Sequence, residues 1–185
     1  NPQNGDNRAI NISGSCEEIY EMEQLFERYR PEVVYHLAGQ VSVPFSMEEP
    51  YIDMEWNYKS MMILVELGKK YGVHKIIFSS TSAVYGEQEE LPIKETAETR
   101  PQGPYALHKL RAENYLKMSG IPHVIFRFSN VYGERQETGV IPSFILGAYE
   151  MNKITIYGDG EQSRDFIYVG DLINALTIAM DKGEG

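Results

Sequence analysis

The chain has 185 residues, of which 42% are hydrophobic and 24% are charged, so it is long and apolar enough for one sizeable globular core. Its formal net charge of −10 argues against broad nucleic-acid binding, which needs a basic surface, although a few local arginines could still hold an anionic ligand. The single cysteine excludes an intramolecular disulfide framework and no apolar run approaches the roughly 20 residues of a membrane span, so we expect a cytoplasmic protein.

The first part of the chain predicts an alternation of helices and strands. Ser15 and Glu18 have the spacing of a capping box and predict the start of a helix that ends before Pro31. The nearly all-apolar run EVVYHL (32–37) predicts a short buried strand. After a polar loop, apolar side chains at helical intervals predict a helix over about 51–71.

The alternation continues through the middle of the chain. The runs KIIFSS (75–80) and HVIFRF (123–128) predict two more buried strands. A loop rich in glutamate and proline (87–104) and a helix that begins at Pro104 separate them. Strands separated by helices predict an α/β fold, a doubly wound parallel sheet of the Rossmann type with both faces covered.

The last third has a different rhythm. We predict a helix over about 140–151, a short strand ITIYG (154–158), an extended segment RDFIYV (164–169) and a final helix capped by Asp171. We interpret residues after Gly133 as the start of a second, smaller lobe.

Small or hydrogen-bonding residues follow each of the three strands of the predicted sheet. The segments are HLAGQ (36–40), SSTSAVYG (79–86) and RFSNVYG (127–133). Ligands of open α/β sheets bind beyond the carboxyl ends of the strands, so these segments predict a ligand site at that edge. Turn chemistry alone is the alternative for the hydroxyl cluster at 79–82.

Tyr105 and Lys109 are four residues apart, a spacing that places both side chains on one face of a helix. The pairs Tyr71–Lys75 and Tyr149–Lys153 have the same spacing, but each straddles a helix end. Tyr105 directly follows Pro104, which suits the first turn of a helix, so only this pair is expected beside the strand ends.

The same helix line continues through Ala112 and Leu116, which indicates that Lys109 faces inward. A buried lysine is unfavourable unless it has a partner or a function. A lysine that extends its ammonium to the surface is the alternative.

Five segments of the chain carry a resemblance to a known family: HLAGQVSV (36–43), FSSTSAVYG (78–86), PYALHKL (104–110), RFSNVYGERQ (127–136) and YGDGEQSRDFIYVGDL (157–172). In order and spacing they resemble the extended short-chain dehydrogenases/reductases of the NAD-dependent epimerase/dehydratase family. Within that family they are most similar to the nucleotide-sugar 4-epimerases of the UDP-glucose/UDP-galactose type. The resemblance runs from about residue 32 to the last predicted helix.

The resemblance implies an enzyme that inverts a sugar hydroxyl through a 4-keto intermediate, with hydride transfer to and from bound NAD. Tyr105 would be the acid/base, and Thr81 would orient the reacting hydroxyl. Lys109 would bind the nicotinamide ribose and, with the positive nicotinamide, lower the pKa of Tyr105 from its usual value near ~10.

The resemblance also implies binding residues. Besides Tyr105 and Lys109, the residues implied for the cofactor are Leu37, Ala38, Gly39, Gln40, Asn57, Ser79 and Phe128. Besides Thr81, those implied for the nucleotide-diphosphate sugar are Asn130, Val140, Thr155, Tyr157 and Arg164, with Arg135 as a further candidate. No metal site is implied.

The domain organisation implied by the family is a partial NAD-binding domain over 1–133 and a partial substrate lobe over 134–185, whose final helix returns to the first domain. Family members commonly form homodimers through two long helices, here 51–71 and 104–119. We expect no partner of nucleic acid or membrane.

One family feature is missing. The family begins with a strand, a glycine-rich turn and a helix whose N-terminus binds the cofactor pyrophosphate, and no G-x-x-G-x-x-G turn is found here. The segment GDGEQ (158–162) is no substitute, because it follows a late strand. Since the sequence also starts at Asn1 instead of methionine, we expect part of a longer enzyme. We expect these 185 residues alone to bind NAD very weakly and to be inactive.

Several other activities of the family stay open. Related 4,6-dehydratases and decarboxylases carry acidic residues directly after the Thr81 position, where this sequence has Ser82 and Ala83, which favours epimerisation or keto-sugar reduction. HLAGQ is also similar to some 2-epimerases. A non-catalytic NAD-binding scaffold is a further alternative, against which the complete set of Thr81, Tyr105 and Lys109 argues.

Overall fold

The computed structural model describes residues 8–150 and 153–183. The strands are β1 (Val33–His36), β2 (Lys75–Thr81), β3 (His123–Phe128), β4 (Asn130–Tyr132) and β5 (Phe166–Tyr168). The helices are α1 (Ile19–Tyr29), α2 (Val43–Glu48), α3 (Pro50–Met54), α4 (Ser60–Tyr71), α5 (Pro104–Met118), α6 (Val140–Glu150) and α7 (Val169–Asp181). A π-helical turn (Glu55–Lys59) joins α3 to α4, and a 3₁₀ turn (Ser82–Tyr85) follows β2.

The main sheet is parallel, with the strand order β1-β2-β3. Its register pairs Val34 with Ile76, and Ile76 with His123. All three strands therefore end at the same edge, and the predicted parallel α/β sheet is confirmed. A second, two-stranded parallel sheet pairs β4 with β5.

One face of the main sheet packs against α1, α4 and α5. Ile76 and Phe78 of β2 are fully buried there, together with Phe26 of α1, Leu64 of α4 and Leu116 of α5. Burying a side chain of this size stabilises a fold by ~1.5–3 kcal/mol, so this cluster contributes strongly to the stability of the sheet.

The opposite face packs against α7. Ile77 of β2 is fully buried there against Leu172, Leu176 and Ala179. Successive residues of a strand point to opposite faces, which explains why Ile77 joins a different cluster from its neighbours. Both faces of β2 are thus covered, as the apolar run of its sequence predicts.

The start of α1 differs from the prediction. Glu18 is the N-cap residue and makes no side-chain capping bond, while the Ser15 hydroxyl donates to Glu17 at 2.8 Å. The capping-box interpretation of Ser15 and Glu18 is therefore wrong, because that motif needs the serine itself at the N-cap. The predicted end before Pro31 is confirmed, since Arg30 has a left-handed backbone conformation that closes the helix.

The predicted helix over 51–71 is present but interrupted by the π-helical turn at Glu55–Lys59. The polar loop before it contains α2, a six-residue helix that the sequence did not predict. Ser42 caps α2 by accepting a hydrogen bond from the Phe45 amide at 3.3 Å. Six residues are too few for a helical period to stand out.

The last third contains further corrections. No strand is assigned to 154–157, and Ile156 and Tyr157 are 61% and 84% exposed, so the predicted strand over 154–158 is wrong for the described chain. Asp171 lies inside the first turn of α7, whose N-cap is Tyr168, so its predicted capping role is also wrong. The predicted helix at 140–151 is confirmed as far as Glu150, and residue 151 lies outside the described residues.

Of the helices in the described ranges, none has both the length and the apolar character that crossing a bilayer requires.

Candidate active site

Tyr105 lies at the start of α5, beside the end of β2. Pro104 is in the first turn of the helix, and Gly103 before it has a φ of 89°, a left-handed conformation that favours glycine. The Tyr105 phenol lies near the hydroxyl of Thr81, the last residue of β2, which favours the ionised form of the phenol. Thr81 pairs in turn with Phe128 of β3. The edge where the parallel strands end thus carries a phenol and a hydroxyl close together.

Lys109 lies one turn further along α5 and is only 4% exposed. Its ammonium donates a hydrogen bond to the Ser79 backbone carbonyl at 3.0 Å and lies 5.0 Å from the centre of the Phe78 ring. Ala112 and Leu116 on the same line are fully buried. The inward orientation of Lys109 is therefore confirmed, and the alternative of a lysine that reaches the surface is excluded.

Burial lowers the pKa of Lys109 to about 8, and the negative charge of Asp53 opposes that shift. In the unfolded chain the pKa would be near 10.5, so between those values the unfolded chain binds more protons than the folded one. The contribution of Lys109 to the free energy of unfolding therefore rises as the pH increases from about 8 to 10.5. Below pH 8 the burial of this charged group disfavours the folded state. A lysine that destabilises the fold at neutral pH is a functional-site candidate.

Burial also raises the pKa of the Tyr105 phenol, with a smaller increase from the charge of Asp53 and an opposing effect of the Thr81 hydrogen bond. The expected lowering of this pKa is not produced by the protein's own groups. Burial is the largest of these effects. A further positive charge beside the phenol is needed to favour its ionised form.

The side chains of Lys109 and Asn57 both approach Gly39 closely. A Cβ atom on Gly39 would lie 2.6 Å from Asn57 Oδ1 and 3.1 Å from Lys109 Nζ. Asn57 Oδ1 is buried and has no hydrogen-bond partner in the described chain. An ammonium has three donors, of which the bond to Ser79 uses one. A buried acceptor and a donor therefore lie together beside Gly39, which has no Cβ to displace them.

Asp53 forms a buried polar cluster that the sequence did not predict. Its Oδ1 accepts hydrogen bonds from Gln40 Nε2 at 2.7 Å and Asn57 Nδ2 at 2.9 Å, and its Oδ2 lies 2.6 Å from His108 Nδ1. Asn57 Nδ2 also donates to the Gln40 carbonyl at 3.1 Å. Two signals could have revealed the cluster: Asp53 and Asn57 have helical i, i+4 spacing, and His108 is next to Lys109.

A second buried cluster holds α5 against the strands. Glu113 is fully buried and accepts hydrogen bonds from Ser80 Oγ at 2.6 Å and from Arg127 Nε and Nη2 at 3.0 and 2.6 Å. This contact raises the pKa of the Arg127 guanidinium above its usual range. Because Ser80 is on β2 and Arg127 on β3, one carboxylate ties the helix of Tyr105 to both strands.

The remaining cofactor candidates differ in how far their side chains are exposed to solvent. Gln40 and Asn57 are buried, whereas Leu37 is 53% exposed and Ala38 is also exposed. Ser79 contributes its backbone carbonyl, which accepts the hydrogen bond from Lys109, although its residue type suggests a role for the hydroxyl. The ring of Phe128 is half-buried and stacks on Phe126 at 5.2 Å between ring centres. The structure thus brings most of these residues to one edge.

The substrate candidates are more dispersed. Asn130 is exposed, and its Nδ2 donates to the Asp165 carbonyl at 3.0 Å, which joins the segments of β4 and β5. Arg164 Nη1 donates to the Ser163 carbonyl at 2.7 Å. Four of these candidates have exposed side chains and no recorded hydrogen bond to Tyr105, Lys109 or Thr81 in the described ranges: Val140, Thr155, Tyr157 and Arg164.

Comparison with known proteins gives three kinds of match. The sequence model of the NAD dependent epimerase/dehydratase family matches residues 2–185. The chain is 42% identical over 159 residues to a curated protein of Methanocaldococcus jannaschii, covering 81% of the chain and 52% of that protein. It is 31% identical over 196 residues to the UDP-glucose 4-epimerase of Lacticaseibacillus casei, covering 95% of the chain and 59% of that protein.

Among solved structures, the chain is similar to the UDP-glucose 4-epimerase of Thermotoga maritima with UDP-glucose. The TM-score is 0.94 at 38% identity, and the match covers 99% of this chain and 62% of that one. It is also similar to the UDP-glucose 4-epimerase of Thermus thermophilus in complex with NAD, with a TM-score of 0.88 at 32% identity, covering 100% of this chain and 64% of that one. The chain spans about half the length of the curated relatives it matches.

Proposed function

Because the chain belongs to the NAD-dependent epimerase/dehydratase family, we propose that the protein is a nucleotide-sugar 4-epimerase that uses bound NAD and acts on a UDP-sugar. The observation that carries the proposal is the buried Lys109 on the same helix line as Tyr105, with Tyr105 near Thr81 at the strand ends. A lysine that is unfavourable for folding at neutral pH, beside a phenol and a hydroxyl, is the arrangement that acid–base chemistry on a sugar hydroxyl requires.

The residues beside Gly39 fit a dinucleotide cofactor. Asn57 Oδ1 is an acceptor without a partner in the described chain and Lys109 Nζ is a donor beside the same glycine, and a ribose hydroxyl can both donate and accept. We therefore assign Lys109, Asn57 and Gly39 to the nicotinamide ribose, with Gln40 as support. Leu37, Ala38, Ser79 and Phe128 complete the proposed cofactor channel. NAD, when bound, supplies the hydride acceptor and donor and a positive charge beside the site.

Tyr105 and Thr81 would handle the substrate proton. Thr81 orients the 4-hydroxyl of the sugar, and the Tyr105 oxygen removes its proton as the carbon is oxidised. The 4-keto sugar then rotates in the site and presents its other face. Tyr105 returns the proton to the 4-oxygen, which gives the inverted hydroxyl. Lys109 stabilises the ionised phenol when a second positive charge offsets the burial that raises the pKa of Tyr105.

The substrate residues and the domain organisation are further parts of the proposal. We assign 1–133 to the NAD-binding domain and 134–185 to a substrate lobe, with the packing of α7 on β2 in support of its return to the sheet. We assign the nucleotide-diphosphate part of the substrate to Asn130, Val140, Thr155, Tyr157 and Arg164. Arginine suits a diphosphate because its planar group donates two parallel hydrogen bonds.

We propose a cytoplasmic homodimer formed through α4 and α5. Three apolar side chains of these helices are at least 36% exposed: Met62, Leu107 and Met118. Tyr58, just before α4, packs edge-on against Tyr115 of α5 at 6.2 Å between ring centres, so the two helices present one joint surface.

The proposed activity is tested by incubating the protein in its natural full length with UDP-galactose and catalytic NAD. We expect UDP-glucose to form until the two sugars reach equilibrium, as measured by chromatography. Without conversion, but with loss of water or carbon dioxide from another nucleotide sugar, the protein would be a dehydratase or decarboxylase. Ser82 and Ala83 after Thr81 favour the epimerase, because neither side chain can act as the acid or base of an elimination.

The cofactor assignment predicts the effect of Gly39→Ala. The added Cβ would meet Asn57 Oδ1 at 2.6 Å, and Asn57 cannot retreat because Asp53 and the Gln40 carbonyl hold its amide. We expect NAD affinity to fall at least about tenfold, a loss of ~1.4 kcal/mol, in a fluorescence titration of the full-length protein.

Gly14→Ala is the matched control, because its Cβ would meet only the end of the flexible Glu21 side chain. Unchanged NAD affinity in Gly39→Ala would contradict the assignment of this space to the cofactor.

A further inference from the structure

Two residues of the buried cluster, Asp53 and His108, have no role in the proposed function. Asp53 is fully buried on α3, and the His108 side chain is 13% exposed on α5. A buried carboxylate is unfavourable unless hydrogen bonds satisfy its oxygens. Here both oxygens have partners, but those partners are residues beside Lys109 and not residues of the apolar core.

The hydrogen bonds of Asp53 fix the orientation of Asn57. The amide nitrogen of Asn57 donates to Asp53 Oδ1 and to the Gln40 carbonyl, so Oδ1 of Asn57 must point the other way. That direction leads to Gly39, which Lys109 Nζ also approaches. If the amide turned over, its oxygen would face two acceptors and lose both bonds.

His108 fixes the orientation of Asp53. Its Nδ1 lies 2.6 Å from Asp53 Oδ2, while Oδ1 holds Gln40 and Asn57. The carboxylate is therefore held on both sides and cannot rotate without losing a bond. Because His108 and Lys109 are adjacent on α5, the same helix carries both the reacting lysine and the residue that fixes its surroundings.

We propose that Asp53, held by His108, is a positioning residue that aims the oxygen of Asn57 toward Gly39 and Lys109 and keeps a negative charge near the buried ammonium. The inference rests on the proposed function only for the reaction in which Lys109 takes part. In the described ranges no hydrogen bond joins Asp53 or His108 to Lys109 or Tyr105, so these residues act through Asn57 and through charge.

The charged and titratable groups around Lys109 come from three elements. Asp53 faces it from α3, His36 from β1, and Tyr105 precedes it on α5. Burial, and then the charge of Lys109, lower the pKa of His36 to about 3, so this imidazole is neutral. Asp53 is thus the group whose charge favours the protonated form of Lys109.

The first test replaces Asp53 by asparagine, which removes the charge and keeps the shape. In full-length protein labelled with ¹³C at the lysine ε-carbons, Lys109 is assigned by the signal lost in Lys109→Arg. We expect the pKa of Lys109 to fall by about one pH unit in Asp53→Asn. An unchanged titration would overturn the electrostatic part of the inference.

The second test compares His108→Leu with His108→Asn. An asparagine can place a donor near the position of Nδ1, whereas leucine cannot. We expect kcat/KM to fall about tenfold to hundredfold in His108→Leu, as for small misplacements of reacting groups. His108→Asn should regain most of that loss. His123→Asn is the control, since His123 lies on β3 and its ring bonds the Ile121 carbonyl, with no other side-chain hydrogen bond in the described residues.

Each outcome decides the matter. Wild-type kcat/KM in His108→Leu, or equal losses in both His108 variants, would overturn the positioning role. A drop in stability with an unchanged Lys109 titration and unchanged kcat/KM would show a purely structural role. If Asp53→Asn does not fold, the two His108 variants still decide. The titration needs neither substrate nor turnover, so failure of the epimerase proposal would leave its result interpretable.

Discussion

Tyr105→Phe is expected to lower kcat about 10³-fold. A positioned general acid/base contributes ~10²–10⁴-fold to the rate, and this variant has no acid/base at the position. Phenylalanine keeps the ring and loses the oxygen that bonds Thr81. Because the ring stays in place, the fold should be retained. The measurement is the initial rate of UDP-galactose conversion by the full-length protein, with circular dichroism and NAD affinity to confirm that folding and cofactor binding are intact.

Tyr71→Phe is the matched control for that prediction. Tyr71 also precedes a lysine by four residues, but it lies just before β2 begins, whereas Thr81 lies where β2 ends. Its hydroxyl is 3.5 Å from Glu23. Its rate should stay within about twofold of the wild type, as for surface substitutions away from a site. Full activity in Tyr105→Phe would refute the assigned base, whatever the control shows.

Glu113→Ala is expected to have the largest effect on stability. It would leave Arg127 and Ser80 without their buried partner, and breaking a buried ion pair in this way costs about 3–5 kcal/mol. Because Glu113 also ties α5 to β2 and β3, the position of Tyr105 should loosen and the rate should fall as well. The measurement is the midpoint of urea unfolding, compared with the initial rate at low temperature where the variant is folded.

Two further variants separate charge from packing at this site. The double replacement Glu113→Leu with Arg127→Met should recover much of the stability, because an apolar pair of similar volume avoids burying charge. Glu98→Ala breaks an exposed ion pair with Arg100 and should leave the midpoint unchanged. A midpoint in Glu113→Ala equal to that of Glu98→Ala would show that the buried pair contributes nothing to the fold.

The sequence predicted the parts of the fold that depend on local pattern. The apolar runs of β2 and β3 identified buried strands, and the spacing from Tyr105 to Leu116 identified the buried line of α5. Both signals come from neighbouring residues that share one environment. The exposed segment 154–157 shows the limit of this reasoning, because an alternating apolar pattern cannot tell whether a partner strand is adjacent.

Contacts between distant segments could not be predicted in the same way. Asp53 meets His108 across 55 positions, and the segment of Asn130 pairs with that of Phe166 although they are far apart in the chain. Neither residue of such a pair carries a local signal of its partner. The resemblance named individual residues such as Asn57, but the reason for the orientation of Asn57 lies in Asp53, which no motif contains.

The π-helical turn between α3 and α4 joins two helices whose buried faces pack against different parts of the protein. Before it, Asp53 points to the site; after it, Leu64 points to the core. Each residue added to a helix rotates the next side chain by about 100°. Inserting or deleting one residue in this turn would therefore turn either the site face or the core face away from its neighbours. The number of residues between Asp53 and Leu64 is therefore constrained independently of the identity of a residue such as Lys59, whose partly exposed side chain pairs with Glu55.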